Sequence, residues 1–428
     1  MPPAELPGAR SFFVGRKINT QCLRFCGNRY RETEVKYSVF SGIIPQAVIA
    51  AEIPIFAKQI READKTEVVF DTMHLIRQIG QFPDNKRKGL FHELSNYKNG
   101  QFQNLLPTPA LAEGESMARI MWKFFQKMPE TTPGYTLPFV DTDLRRLKPE
   151  ENVLVWFGHS SYFIQLYGRR FLVDPVFSGH ASPFRGSVKA FPGTDHYQAA
   201  AMPDIDVLFI SHDHWDHLDY KTVQQLKPKV KTVICGLGVA QHFEYWGWNR
   251  EKLIEKNWYD HVDLGNGCTV TLTPARHFSG RLLSRNISLW TSFVLQTPAL
   301  KLFLGGDSGY GPHFKEIGDR FGPFDLAMLE CGQYNEKWPY IHSLPKEILP
   351  EALELKAERV LPVHHSKFKL AQHPWYEPLQ QVTAFAGTGK LSLLTPKIGE
   401  KVDLDHLDKV WERWWEPGVK NGSQNRKQ

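Results

Sequence analysis

The chain has 428 residues, 42% of them apolar and 13% aromatic, enough for a substantial core in one large domain or two ordinary ones. Its formal charge of +6 is small for that length, with 52 basic against 46 acidic residues. No basic run is interleaved with aromatics, so the composition admits an anionic substrate or membrane surface and argues against a nucleic-acid-binding protein.

Cysteines at 22, 26, 235, 268 and 331 are too scattered for a disulfide framework, and reduced thiols in a cytoplasmic protein are expected. Cys22 and Cys26 form a C-x3-C pair with no matching second pair, which argues against a zinc knuckle. No apolar run is long enough for a spanning helix. The nearest, Val39 to Ala57, carries Pro45, Glu52 and Pro54 and reads as a weakly amphipathic, interfacial element. It lies too far from Met1 for a signal peptide. Residues 1–85 hold a basic cluster (Arg24, Arg29, Arg31), a weak helix signal over Ile55 to Arg61 and no active-site motif. They are expected to form a poorly ordered extension, with Met73 or a neighbour as an alternative start. The main domain is expected over 86–416, and the polar, basic residues 417–428 as a disordered tail.

Phe91 to Pro109 reads as a wrapping loop, and Gly114 to Lys127 as a helix with Met117, Ile120, Met121 and Phe124 on one face. Strands and turns follow quickly from Asn152. Val153 to Phe157 is apolar, and Tyr162 to Leu166 pairs with Arg170 to Val173 across Tyr167-Gly168-Arg169. Further strands are predicted at Ile205 to Ile210, Thr232 to Ile234, Thr269 to Leu272, Ser288 to Leu295, Lys301 to Leu304 and Arg359 to Val363. Helices are predicted near Tyr220 to Gln225, Val239 to Trp246 and Lys346 to Leu355. Two series of strands alternating with helices predict an α/β fold with two sheets sandwiched between helical layers. No solenoid repeat is visible, and any duplication of the two halves is too weak to read.

The most informative segment is His212-Asp213-His214-Trp215-Asp216-His217, just past the apolar run Ile205 to Ile210. Imidazole nitrogen and carboxylate oxygen suit a borderline cation such as zinc. His212 and His214 alternate on an extended turn and can share one metal; Asp216 and His217 can turn toward a second. Three further candidates each follow a predicted strand: His277, Asp307 and His364. Gly305 and Gly306 before Asp307 let backbone approach a ligand closely. Any one of these alone would be ambiguous, since a lone histidine is more often a satisfied polar residue than a ligand. Four ligand-bearing strand ends on one rim point to a dinuclear site.

The H-x-H-x-D-H run, with His277, Asp307 and His364 in that order, resembles the metallo-β-lactamase superfamily. Within it, the chain is most similar to the branch of N-acylphosphatidylethanolamine-hydrolysing phospholipase D and its bacterial relatives. The segments that carry this are Trp156 to Ser161, Asp174 to Ser178 with Ala181-Ser182-Pro183, Ser211 to Tyr220, Gly306 to Tyr310 and Ile317 to Asp325. The resemblance spans roughly residues 90 to 400. Leu218-Asp219-Tyr220 stands where glyoxalase II and tRNA-maturation enzymes place a glycine, which argues against both activities.

The resemblance implies the four-layer αββα metallo-β-lactamase sandwich. It implies two zinc ions, with other divalent metals as alternatives: His212, His214 and His277 on one, Asp216, His217 and His364 on the other, and Asp307 bridging. His365 competes with His364 for the last place. A metal-bridging hydroxide would then attack a phosphodiester, with an N-acylphosphatidylethanolamine-like phospholipid as the expected substrate. Asp216 and Asp307 are candidates for handling the nucleophile's proton as well as for ligation, and His342 for a phosphate or leaving-group contact. Partners expected on this reading are the phospholipid, peripheral membrane contact and a second copy in a homodimer. The alternatives are a lactonase of the sugar-phosphate branch and a non-catalytic metal-binding stress protein. Asp174, Asp219 and His159 are candidates for orienting ligands, against ordinary turn and loop roles, and Asp206 for bracing the loop. Tyr310 and Tyr334 could line the mouth. Trp215, Tyr245, Trp246 and Trp248 either flank a lipid-sized groove or pack as ordinary core.

Overall fold

The computed structural model describes residues 75–116, 130–184, 186–282, 284–389 and 391–416. The elements expected over Val39 to Ala57 and Ile55 to Arg61, the Cys22/Cys26 pair, the alternative start at Met73, most of the helix at Gly114 to Lys127 and the tail after 416 lie outside these residues.

Two seven-stranded sheets form the body. A short hairpin of β1 (Tyr97–Lys98) and β2 (Gln101–Phe102) precedes them. The first sheet contains β3 (Val153–Trp156), β4 (Tyr162–Leu166), β5 (Arg169–Val173), β6 (Ile205–Ile210), β7 (Val230–Gly236) and β8 (Leu253–Lys256). The second contains β9 (His261–Gly265), β10 (Cys268–Thr273), β11 (Ser292–Gln296), β12 (Lys301–Leu304), β13 (Leu326–Glu330), β14 (Arg359–Val363) and β15 (Ser392–Leu393). The last strand, β16 (Lys401–Asp403), returns to the edge of the first sheet beside β3.

The spatial orders are β16-β3-β4-β5-β6-β7-β8 and β9-β10-β11-β12-β13-β14-β15. In both, the first four strands pair antiparallel and the last four parallel. The duplication that the sequence hides is therefore plain in the topology. Strand ends at equal positions in the two sheets carry His159 and His277 after the second strand, and Asp174 and Asp307 after the fourth.

The strands read as continuous apolar runs because both faces are covered. All five residues of β4 and of β13 are buried. The sheets meet face to face through contacts such as Phe209 on β6 against Phe293 on β11, ring centroids 4.9 Å apart. Helices α1 (Asn85–Gly89), α2 (Tyr220–Leu226), α3 (Ala240–Tyr245), α4 (His313–Phe321), α5 (Ile348–Leu355) and α6 (Glu377–Gly389) accompany the sheets. α3 packs by β8, α5 by β13 and α6 by β15, which gives the αββα sandwich. No helix among the described residues is long and apolar enough to cross a membrane.

Several expectations are corrected in detail. The packed body starts before residue 86, because the Arg77 carbonyl accepts from Trp246 Nε1 and the Gln78 carbonyl from the buried Arg281 guanidinium. The strand predicted from Ser288 begins only at Ser292. Residues 288–291 instead run across the sheet end, where the Thr291 N–H donates to the Ser211 carbonyl. Gly306 serves this crossing rather than a ligand: a Cβ there would lie 2.5 Å from the Thr291 carbonyl oxygen.

Two buried histidines outside the ligand set give the fold a pH dependence. Burial lowers His313 to about 3 and His365 to about 3, from an ordinary 6.5. Both stay neutral in the folded chain and charge on unfolding, so their contribution is complete above about pH 6.5 and is lost progressively as pH falls toward 3. At pH 5 each should cost about 2 kcal/mol of stability. Urea midpoints of the metal-free protein should therefore drop between pH 7 and pH 5, and less so in His313→Gln. An equal drop in that variant would show that His313 is not responsible.

Candidate metal centre

Every predicted ligand lies on one rim, where the strands of both sheets end. The run after β6 turns tightly, with the His217 and Leu218 N–H groups donating to the His214 carbonyl. His212 Nε2 lies 2.8 Å from His214 Nδ1, and His277 Nε2 lies 3.2 Å from the same nitrogen. These three form one group close enough to hold a metal ion. A second group is Asp216, His217 and His364, joined by His159, whose Nε2 is 2.9 Å from Asp216 Oδ2.

Asp307 stands between the groups. Its Oδ2 is 3.1 Å from His217 Nε2, 3.7 Å from His277 Nε2 and 3.9 Å from His212 Nε2; its Oδ1 is 3.1 Å from His364 Nδ1. At these short separations His217 Nε2, His364 Nε2 and Asp307 Oδ1 still make no hydrogen bond and are buried. Lone pairs and a carboxylate converge without a partner, which is the arrangement a cation resolves. The nitrogen and oxygen donor set fits a divalent metal such as zinc.

Electrostatics agree with that fit. Burial first, and neighbouring imidazoles second, hold His212, His277 and His364 well below the ordinary imidazole value. Burial brings His214 and His159 down to about 4. Neutral imidazoles keep the lone pairs that metal binding requires. Burial also acts to lower His217, but the Asp307 and Asp216 carboxylates and the bond to Asp174 raise it well above 6.5. Burial pushes the Asp307 carboxyl up to about 7. A site this short of positive charge would favour divalent ions.

The candidate ligands have further hydrogen-bonding partners. Asp174 Oδ2 is 2.8 Å from His217 Nδ1 and 2.5 Å from Ser211 Oγ, which in turn is 2.9 Å from His212 Nδ1. The Ile341 carbonyl lies 2.7 Å from His277 Nδ1, and Ser160 Oγ lies 3.0 Å from His364 Nδ1. Such contacts fix the tautomer and ring orientation of a ligand. His364 and His159 both have positive φ, 65° and 54°. Their tips are locked together by His364 N–H to the His159 carbonyl, 3.0 Å, and His159 N–H to the His365 carbonyl, 2.8 Å. Backbone strain of this kind persists where the surroundings over-determine it.

Other candidates are placed elsewhere. His365 turns away from the rim, with Nε2 3.1 Å from the Pro362 carbonyl and its ring against Trp156. Asp219 touches no ligand: it caps α2 and accepts from Ser178 N–H and Thr222 Oγ1. Asp206 accepts from Arg170 N–H and Lys231 Nζ, joining strands rather than bracing the loop. Tyr310 donates to Glu354 on α5, and Tyr334 to Glu377 on α6. Trp215 lies under the Arg281 guanidinium at 3.7 Å, while Trp246 and Trp248 pack on Phe243, so these three are packing residues.

Two neighbours of the site were not legible. Asn104 in the wrapping segment clamps the His277 backbone, donating to its carbonyl at 2.7 Å and accepting from its N–H at 3.1 Å. Glu330, at the end of β13, meets His342: Oε2 is 2.9 Å from Nδ1. Burial pushes the Glu330 carboxyl up, whereas the Ser343 and Ser308 N–H groups pull it down. Burial outweighs these bonds and leaves the group well above the ordinary carboxylate range.

Comparison with known proteins agrees with this geometry. Residues 169–365 match the model of the beta-lactamase superfamily domain. The chain is 36% identical over 327 residues to an uncharacterized protein of Mycobacterium tuberculosis, covering 75% of this chain and 87% of that one. It is 30% identical over 239 residues to N-acyl-phosphatidylethanolamine-hydrolyzing phospholipase D 1 of Caenorhabditis elegans, covering 52% and 65%. It is 28% identical over 218 residues to a metal-dependent hydrolase of Pyrobaculum neutrophilum, covering 50% and 84%. With the two-sheet sandwich and the histidine–aspartate rim in place, the chain belongs to the metallo-β-lactamase superfamily of metal-dependent hydrolases and is related to the N-acylphosphatidylethanolamine-hydrolysing phospholipases D.

Proposed function

We propose that this chain is a dinuclear zinc hydrolase that cleaves a phosphodiester of an N-acylphosphatidylethanolamine-like phospholipid, in the manner of a phospholipase D. The observation that carries the reading is Asp307, whose Oδ2 lies between the two groups, 3.1 Å from His217 on one side and 3.7 Å from His277 and 3.9 Å from His212 on the other. His212, His214 and His277 would hold one ion, and Asp216, His217 and His364 the other. When bound, the ions would acidify a water and offset charge developing on phosphoryl oxygens. Asp174, Ser211, Ser160 and the Ile341 carbonyl keep the ligand rings turned inward. The phospholipid assignment draws on the relative from Caenorhabditis elegans, whose printed activity is of that class.

Metal analysis coupled to a substrate panel tests this. Two equivalents of zinc per chain and release of phosphatidic acid from the phospholipid are expected. Ring opening of a lactone without phosphodiester cleavage would replace the reading with the lactonase alternative. No turnover of any member by zinc-loaded protein would leave the non-catalytic one.

A further inference from the structure

Three arginines follow β10, and two of them spend their guanidinium groups on the chain itself. Arg276 donates to the Tyr310 carbonyl at 2.9 Å and to Thr108 Oγ1 at 3.2 Å. Arg281 donates to the Asp213, Leu218 and Gln78 carbonyls at 2.9, 2.8 and 2.8 Å. Arg285 differs. The residue is half-buried, and its guanidinium makes no hydrogen bond or ion pair to any described residue. The guanidinium carbon instead lies 4.1 Å over the centre of the Phe278 ring. The backbone beneath it is pinned. Gln101 Nε2 donates to the Arg285 carbonyl at 3.1 Å, and the Phe102 N–H to the Asn286 carbonyl at 2.8 Å. The Asn286 N–H donates to the Ser279 carbonyl at 2.9 Å, closing a loop that starts beside His277. Phe278 stands against two candidate ligands, its ring centroid 4.5 Å from that of His214 and 4.7 Å from that of His277. One aromatic ring therefore separates an uncompensated cation from the histidine group. Burying a charge without a partner is costly, and a ring face recovers only part of that cost.

We propose that Arg285 is a substrate-binding residue whose guanidinium takes the phosphoryl group of the substrate. This rests on the phosphodiester reading above, in which that group is held at the adjoining rim. A guanidinium presents its N–H donors in one plane and can bind two phosphate oxygens at once, which suits it to this task better than an ammonium group. Phe278 packs on Leu111, Trp338, Ile341 and Ala371, side chains that bring no anion to compete with a phosphate. The missing partner of Arg285 is thus supplied from outside the chain, by the substrate.

Arg285→Met removes the charge and keeps an apolar stem over Phe278, whereas Arg285→Lys keeps the charge and loses the fork. Calorimetry with zinc-loaded full-length protein would measure the binding of methyl phosphate and of hexyl phosphate. Both dissociation constants should rise about tenfold or more in Arg285→Met, the scale of a lost charge-assisted hydrogen bond, and by a smaller factor in Arg285→Lys. With a dialkyl phosphodiester, KM should rise by a similar factor in Arg285→Met while kcat changes less than about threefold, the pattern of lost uniform binding. Zinc content should match that of the parent protein. The urea midpoint without metal should not fall, because the guanidinium holds no part of the described chain. Parent-like binding of both phosphates in Arg285→Met would overturn the proposal, as would a loss confined to hexyl phosphate, which would give the arginine stem a packing role. A fall in kcat alone, reduced zinc content, a lower urea midpoint, or failure of the parent to bind either phosphate would overturn it as well. If the parent binds both phosphates but cleaves no phosphodiester, the phosphodiester reading fails, and the dissociation constants alone decide whether Arg285 binds a phosphoryl group.

Discussion

Asp307→Asn is expected to reduce hydrolysis by at least about a thousandfold while leaving the fold intact. The side chain is buried, and its contacts within ion-pair distance are His212, His217, His277 and His364. An amide has nearly the same shape, so packing is undisturbed. It replaces one acceptor oxygen with a donor and removes the charge that both ligand groups share. Zinc content should fall for both groups together, unlike the loss expected from a residue serving one of them. Without metal, the variant's stability should stay close to the parent's. Burial disfavours the Asp307 carboxylate, having pushed the group up to about 7, and relief of that cost offsets the loss of its attraction to His217. Circular dichroism and urea midpoints check the fold, and elemental analysis checks the metal. Parent-level activity with full zinc occupancy would remove Asp307 from the centre and with it the dinuclear reading.

The parts of this site that were readable in the sequence are those whose chemistry is local. His212 to His217 could be recognised because the ligands sit side by side behind an apolar strand. Asp307 and His364 stood out because each follows a short apolar run. Glu330 escaped for the opposite reason. Leu326-Ala327-Met328-Leu329 is apolar on both faces, so it shows no alternation, and a glutamate at its end looks like an ordinary boundary residue. Asn104 escaped because its partner, His277, is 173 residues away and no periodicity links them. Asp219 misled because a carboxylate next to a ligand run serves equally well as a helix cap, and only the course of the chain into α2 decides. The repeated strand order was hidden for a related reason: matching strand positions need matching apolar character, which many residues supply, and not matching identities.

Asp213 gives the six-residue run a bracing role beside its candidate ligands. It lies between His212 and His214, yet its side chain points to a different set of partners. It accepts from Gly280 N–H at 2.7 Å and Ser288 Oγ at 2.6 Å, and lies 3.2 Å from His242 Nε2. Against the effect of burial, His242 and Ser288 hold the carboxyl well below its ordinary range. These bonds tie both ends of the loop after His277 to the ligand turn. Arg281 completes the tie, donating to the Asp213 and Leu218 carbonyls. Asp213→Ala would leave buried donors without an acceptor, at a cost of about 3–5 kcal/mol. Asp213→Asn, whose amide oxygen still accepts, should lose less. Urea midpoints of the metal-free proteins give the comparison, and removing the metal keeps ligand loss from counting as lost folding energy. A midpoint for Asp213→Ala equal to the parent's would show that the loop holds without the carboxylate. The expected ranking instead separates two functions within consecutive residues: histidines that gather metal, and an aspartate that gives them a rigid wall to stand against.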